Sequence, residues 1–222
     1  MTKMRWAIVT LAACGHVGFD DPGTMAGAPQ IIQMQSMLTD GSTAQLSLVS
    51  TRAGDLLVVM TSNISDTTPL MSVADDAGDT FESVNVTFTH DLASIGEVWY
   101  AANSHGSAAT VTITDSASIE REVWILEIEG PTAYDRASEI SNQPETGTVD
   151  APTVTPRRVP AAIVSMVLAP GSAIDAGPLF TVLPVLHGDD AAFKVVTASG
   201  TYGPVWTVDE SGDYGAATVA FD

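Results

Sequence analysis

The chain has 222 residues and a formal net charge of -19, from 27 acidic against 8 basic side chains. That balance repels phosphate backbones and anionic headgroups, which excludes nucleic-acid binding. A hydrophobic share of 45% excludes an intrinsically disordered chain, and a single cysteine excludes an intramolecular disulfide, so stability rests on packing and strand pairing.

Lys3 and Arg5 form a positive start, Trp6 to Ala13 a short apolar run, and Cys14-Gly15 follow. That is the layout of a secretory leader, and the run is too short to span a bilayer. Leu11-Ala12-Ala13-Cys14 resembles a bacterial lipobox. The resemblance implies cleavage before Cys14 and acylation of the new N-terminal cysteine. With Gly15 rather than Asp in the next place, it also implies the outer membrane. Two acyl chains already hold a protein stably on a bilayer. The plainer alternative is an ordinary leader with a chance cysteine, or a cytosolic chain with a free thiol. The expected organisation is a leader over 1–13, a lipid anchor and Gly/Asp/Pro-rich tether over 14–28, and one domain over 29–222.

From there the chain reads as strands. Gln30 to Met37 is the first, Thr39-Asp40-Gly41-Ser42 a turn, and Ala44 to Val49 the second. Asp55 to Met60 opens a strand apolar on both faces. Leu70 to Val73 and Thr80 to Phe88 flank the Asp75–Asp79 connection. Ile95 to Ala101 and Ala109 to Thr114 follow. Glu120 to Gly130 is the candidate central strand. Val123-Trp124-Ile125-Leu126 is apolar on both parities, and Glu120, Glu122, Glu127 and Glu129 return to alternation at its ends. Tyr134 to Val154 is polar and irregular, a candidate crossing between sheets. Ala161 to Leu168, Phe180 to Leu186, Phe193 to Ala198, Val205 to Val208 and Ala216 to Phe221 complete the set. About a dozen short strands with Gly, Pro and Asp turns predict an all-β, two-sheet antiparallel β-sandwich, jelly-roll-like, with a barrel as the alternative.

Ala53-Gly54-Asp55-Leu56-Leu57-Val58-Val59, then Ser72 to Phe81, Val98-Trp99-Tyr100-Ala101 and the Val-Trp-Ile-Leu-Glu strand follow one another in order. The series resembles a broad group of secreted bacterial sandwich domains, with Asp79 where the group more often has Asn. It implies the fold and carries no activity. The two halves are also weakly alike. Leu56–Ser62 matches Ile163–Ala169, Val111–Thr114 matches Val205–Val208, and Glu122–Ile128 matches Ala216–Phe221. Any two-sheet sandwich can show that much, and chance likeness is the preferred explanation.

Candidate chemistry is sparse. Glu120 with Glu122 and Glu127 with Glu129 form same-face pairs, and Trp99, Tyr100 and Trp124 could line a sugar cleft. On strands, aromatic residues more often fill a core. His16, His90, His105 and His187 are scattered, and no G-x-S-x-G occurs, so a nucleophilic triad is not indicated. Asp75, Asp76 and Asp79 cluster around Gly78, a set of hard oxygens suited to calcium. Asp189-Asp190 and Asp209, Glu210 and Asp213 form further acidic turns, although Asp and Gly are ordinary turn residues. The expectation is an envelope lipoprotein held to the membrane by acylated Cys14. Its β-sandwich is expected to be a non-enzymatic binding, adhesion or structural module for a glycan or a surface protein. The alternative is a carbohydrate-active enzyme or a lectin-like glycan-binding domain.

Overall fold

A computed structural model describes residues 27–64, 69–90, 94–130, 133–169, 171–184 and 188–222. Cys14 and the lipobox, the leader and nearly all of the tether lie outside the described residues, as do His16 and His187. The first half comprises β1 (Gln30–Ser47), β2 (Leu56–Asn63), β3 (Ser72–Asp75), β4 (Glu82–His90), β5 (Ser94–Ala101) and β6 (Thr110–Glu129). The second comprises β7 (Tyr134–Asp150), β8 (Ala161–Leu168), β9 (Ala173–Asp175), β10 (Thr181–Val182), β11 (Asp190–Val196) and β12 (Val205–Phe221). The chain is all-β. Its two antiparallel sheets are not closed into a barrel and pack as a β-sandwich.

Each half makes one sheet. The first runs β1-β6-β2-β5-β4 with β3 also on β6; the second runs β7-β12-β8-β11-β10 with β9 also on β12. Strand for strand this is the same connectivity, and it overturns the preference for chance likeness. The three matched segment pairs fall on β2 and β8, on the starts of β6 and β12, and on their ends. Core positions set the equivalence one residue away from the matched segments, with Leu56 answering to Ala162 and not to Ile163. Leu56 faces Ile128 and Met60 faces Trp124 in the first sheet, while Ala162 faces Phe221 and Met166 faces Ala217 in the second.

Four strands are longer than their patterns predict. β1 runs through the expected turn at Thr39–Ser42, shifting register between Gly41 and Thr43, and Gly41 adopts φ +150°, open to glycine. β6 runs without a break from Thr110, joining the two expected strands around Asp115–Ser118. β12 likewise absorbs the acidic turn Asp209–Asp213, and Tyr134 to Asp150 is a strand, not an irregular crossing. Turn residues inside a run are tolerated because the partner strand bends with them: β1 pairs β6, and β7 pairs β12, on both sides of the shifts.

The bends explain the layering. Leu56, Val58, Met60, Trp124, Leu126 and Ile128 pack with Ala162, Val164, Met166, Val219 and Phe221 in the core between the sheets. The opposite face of the first sheet (Val59, Val123, Ile125) is covered by Leu46, Val73, Val111 and Ile113, from the far ends of β1 and β6 and from β3. In the second half Val167 and Ala216 lie under Val149, Ala173, Trp206 and Val208 in the same way. β2 and β8 are therefore buried along their whole lengths, as unbroken apolar strands should be. Trp124 is fully buried, and its indole Nε1 donates to the Pro184 carbonyl at 3.1 Å, tying the first half to the second. The glutamates flanking it do not all reach the rims. Glu120 and Glu129 are exposed, whereas Glu122 and Glu127 are fully buried. Glu127 is held by Gln33 Nε2 at 2.6 Å and the Arg52 amide at 2.7 Å.

Candidate binding cleft

Both halves carry the same short motif after their third strand. Asp76-Ala77-Gly78-x-x-Phe81 in the first corresponds to Asp175-Ala176-Gly177-x-x-Phe180 in the second. Gly78 (φ +81°) and Gly177 (φ +77°) take the left-handed turn that glycine favours. Three residues past the phenylalanines, Val84 and Leu183 enter the central core. The two turns then differ in what holds them.

The first turn is clamped. Asp75 Oδ1 accepts the Ala77 and Asp79 amides at 3.1 and 2.9 Å. Asp76 Oδ1 accepts the Ala109 and Thr110 amides at 2.8 and 3.1 Å, and those bonds hold its carboxyl below the ordinary range. Asp79 Oδ1 accepts the His105 amide at 2.7 Å and lies 2.6 Å from His105 Nδ1. The three aspartates expected to bind calcium thus fasten the turn to the loop at 105–110. Asp75 Oδ2 and Asp79 Oδ2 are buried without a hydrogen-bond partner. Burial, then the neighbouring Asp79, raises the Asp75 carboxyl above its usual pKa. Among the described residues no three His, Cys, Asp or Glu side chains converge as a metal set.

The second turn is open. Pro178 and Leu179 stand where Asp79 and Thr80 stand in the first. Asp175 Oδ1 still caps the Gly177 amide at 3.1 Å, but among the described residues no hydrogen bond joins 176–180 to 197–203. The facing loop is anchored elsewhere: Tyr202 exchanges backbone hydrogen bonds with Val154 at 2.8 Å, and its hydroxyl donates to the Ala198 carbonyl at 2.6 Å. Gly203 permits this path, since a Cβ there would meet the Pro152 carbonyl at 2.8 Å. A cleft of about 190 Å³ results, lined by Pro178, Leu179, Phe180, Lys194, Tyr202 and Val205, with Leu179 69% and Val205 49% exposed.

Lys194 is the polar centre of the cleft. Its position follows from register. Ile163 pairs with Lys194 as Leu57 pairs with Ala101, so a lysine occupies the place of a buried alanine. Its ammonium lies 5.1 Å from the Tyr202 ring centroid and 5.6 Å from that of Phe180, within cation–π range. Other described cations each meet a carboxylate: Arg52 with Glu129, Arg121 with Asp115, Arg136 and Arg157 with Asp135, and Arg158 with Asp222. Among the described residues Lys194 has no such partner, and no Asp or Glu lines the cleft. Sequence reading missed this site. Its signals were the repeated Asp-Ala-Gly-x-x-Phe motif and the scarcity of lysine, since only Lys3 and Lys194 occur in the chain.

A second contrast lies deeper. Glu97 and Asp190 occupy equivalent places, opposite Thr61 and Val167. Glu97 accepts the Leu70 amide at 2.7 Å and shares its pocket with Asp115 and fully buried Arg121, whose Nη2 lies 3.0 Å from Asp115 Oδ2. Tyr214 stands where the second half would have that arginine, two residues before Ala216 as Arg121 is before Val123. With no cation beside it among the described residues, burial and then Asp189 push the Asp190 carboxyl up to about 7. A smaller acidic pair, Asp55 beside Glu127, behaves alike: burial and then Glu127 raise Asp55 to about 6.

No family model, curated protein or solved structure matches the chain. Its functional reading therefore rests on its own geometry.

Proposed function

We propose that this chain is a non-enzymatic binding module of the cell envelope, exported and held to the outer membrane by acylated Cys14, with the Lys194 cleft as its ligand contact. The observation that carries this reading is the cleft itself, a preformed apolar groove around one uncompensated cation in an acidic protein. Pockets that recognise ligands combine such walls with few convergent polar groups. Anchoring rests on Leu11-Ala12-Ala13-Cys14 and the leader before it. Full-length protein made with labelled fatty acid should take up label, and Cys14→Ala should not. Ligand capture is tested by pull-down and glycan array on the full chain, with and without calcium. Binding lost on Tyr202→Ala supports the cleft, and binding that ignores this change removes it.

The lectin-like alternative uses the same groove, since Phe180 and Tyr202 could stack on a sugar face. A hydrolytic version lacks its acid pair there, because Glu122 and Glu127 are buried in β6 and no carboxylate lines the groove among the described residues. Calcium at the clamped turn is a separate, structural proposal. It is favoured by the two buried oxygens of Asp75 and Asp79, which a divalent cation would satisfy.

A further inference from the structure

We infer that the cleft takes the C-terminal end of a polypeptide, with an apolar last side chain seated among Pro178, Leu179 and Val205 and its terminal carboxylate on Lys194. This rests on the binding-module reading above and names the ligand class of the same site.

Five observations converge on it. The Lys194 ammonium lies within cation–π range of two rings and has no carboxylate of its own among the described residues. An ammonium held in a partly dry groove gains most from an anion supplied by the ligand, in a charge-assisted hydrogen bond. The net charge of -19 opposes a polyanion at long range, so the ligand should carry its negative charge singly. A terminal carboxylate on an uncharged body meets that condition, and a uronate polymer does not.

The walls argue for an apolar group beside that charge. Pro178, Leu179, Phe180 and Val205 offer few hydrogen-bond partners for sugar hydroxyls, and the Tyr202 hydroxyl already donates to Ala198. At about 190 Å³ the cleft is smaller than the roughly 300–1,000 Å³ that holds a whole drug-sized molecule, so it takes one side chain and leaves the rest outside. The rest has a place to lie. Leu179 and Phe180 lead directly into β10, the outermost strand of its sheet, and Leu179 and Val205 extend the apolar rim into solvent. An extended peptide leaving the cleft would run along that edge, where strand addition supplies main-chain hydrogen bonds. A free fatty or aromatic acid would make no use of it.

The test compares fluorescein-labelled tetrapeptides ending in leucine, valine or phenylalanine, each as the free acid and as the C-terminal amide. Purified full-length protein in detergent is titrated and anisotropy read. The inference expects the acids to bind about tenfold more tightly than the amides. Lys194→Met should erase that preference, Lys194→Arg should keep most of it, and Leu179→Ala should weaken acid and amide alike. The acid-to-amide ratio needs no variant, so a misfolded Lys194→Met protein leaves the question decidable. Equal binding of acid and amide, lost on Tyr202→Ala, keeps the cleft as a binding site and overturns the carboxylate. Binding of neutral or uronate oligosaccharides at the cleft, without peptide binding, overturns the peptide in favour of the lectin. If neither peptide nor oligosaccharide binds, the binding-module reading fails with it.

Discussion

The two Asp-Ala-Gly turns are the same device put to different ends. In the first half, Asp76 and Asp79 reach across and fasten the loop at 105–110, and the space between turn and loop is closed by hydrogen bonds. In the second, Pro178 replaces Asp79, the facing loop is tied to Val154 instead, and a groove opens with Lys194 at its centre. A similar divergence runs through the buried acids. The first half sets Arg121 near Glu97, paired with Asp115, while among the described residues the second brings no cation to Asp190. In the first half the buried acids Glu97 and Asp115 share their pocket with a cation. In the second, among the described residues, a cation facing solvent and an acid facing the core have no opposite charge paired with them. Duplicated frames allow this, because one copy can hold stability while the other departs.

The largest expected effect tests where the halves are joined. Trp124→Ala removes the side chain that reaches Pro184 and should cost about 3–5 kcal/mol, a fall in melting temperature of roughly 10 °C. At its counterpart, Ala217→Gly should cost only about 1 kcal/mol. Similar losses from both, read by thermal unfolding, would mean that the wedge is not at Trp124.

Arg121→Ala tests the buried ion cluster. It leaves Asp115 and Glu97 uncompensated and should cost about 3–5 kcal/mol at pH 7.5. The loss should shrink as pH falls, because burial already raises the Glu97 carboxyl and favours its neutral form. Tyr214→Phe, at the equivalent place, should lack this pH dependence.

Asp190→Asn should raise stability. A carboxyl raised from 3.8 to about 7 in the folded state favours folding below pH 4 and progressively loses that contribution as pH climbs to 7. The Asn variant should therefore melt a few degrees above wild type at pH 8 and match it near pH 4. A wild-type advantage at pH 8 would show that the charge has a partner after all.

The smallest effect concerns the clamp. Asp76→Asn should loosen the first turn and lower the melting temperature by a few degrees, and Asp175→Asn by less, since Asp175 holds a single amide. Millimolar calcium should raise the wild-type melt above sodium at matched ionic strength, and Asp75→Asn with Asp79→Asn should remove the difference. Equal shifts from both salts would reduce the turn to a clamp alone.

The strand pattern was legible because β2, β8 and the end of β6 are covered on both faces, and such strands read as unbroken apolar runs. Trp124 was legible for the same reason. The continuity of β1, β6 and β12 was not. Gly41, Asp115 and Gly212 carry turn signals, and only the bending of a paired strand keeps them in the ladder. The burial of Glu122 and Glu127 escaped notice because alternation gives a side chain's face, not whether another layer covers it. The acidic turns were found as a cluster, but which carboxylate met which amide depended on a loop some thirty residues away. The cleft was hidden most deeply. Its walls come from three separated segments, and one lysine gives no periodic signal.

The position of β6 has a consequence for how the chain acquires its shape. β6 lies between β1 and β2, yet it is the last strand of its half to be made, and Gln30 pairs with Glu129. As the polypeptide emerges, β1 has no hydrogen-bonded neighbour until residues 110–129 arrive, and β2 has only β5. Pairings this distant in sequence close slowly and leave apolar edges bare in the interval. The same order recurs in the second half, so each nascent half passes through a stage with its central strand missing. A holding chaperone that shields extended segments would act in those two intervals, and a stall placed after residue 129 should release a first half able to pair all its own strands.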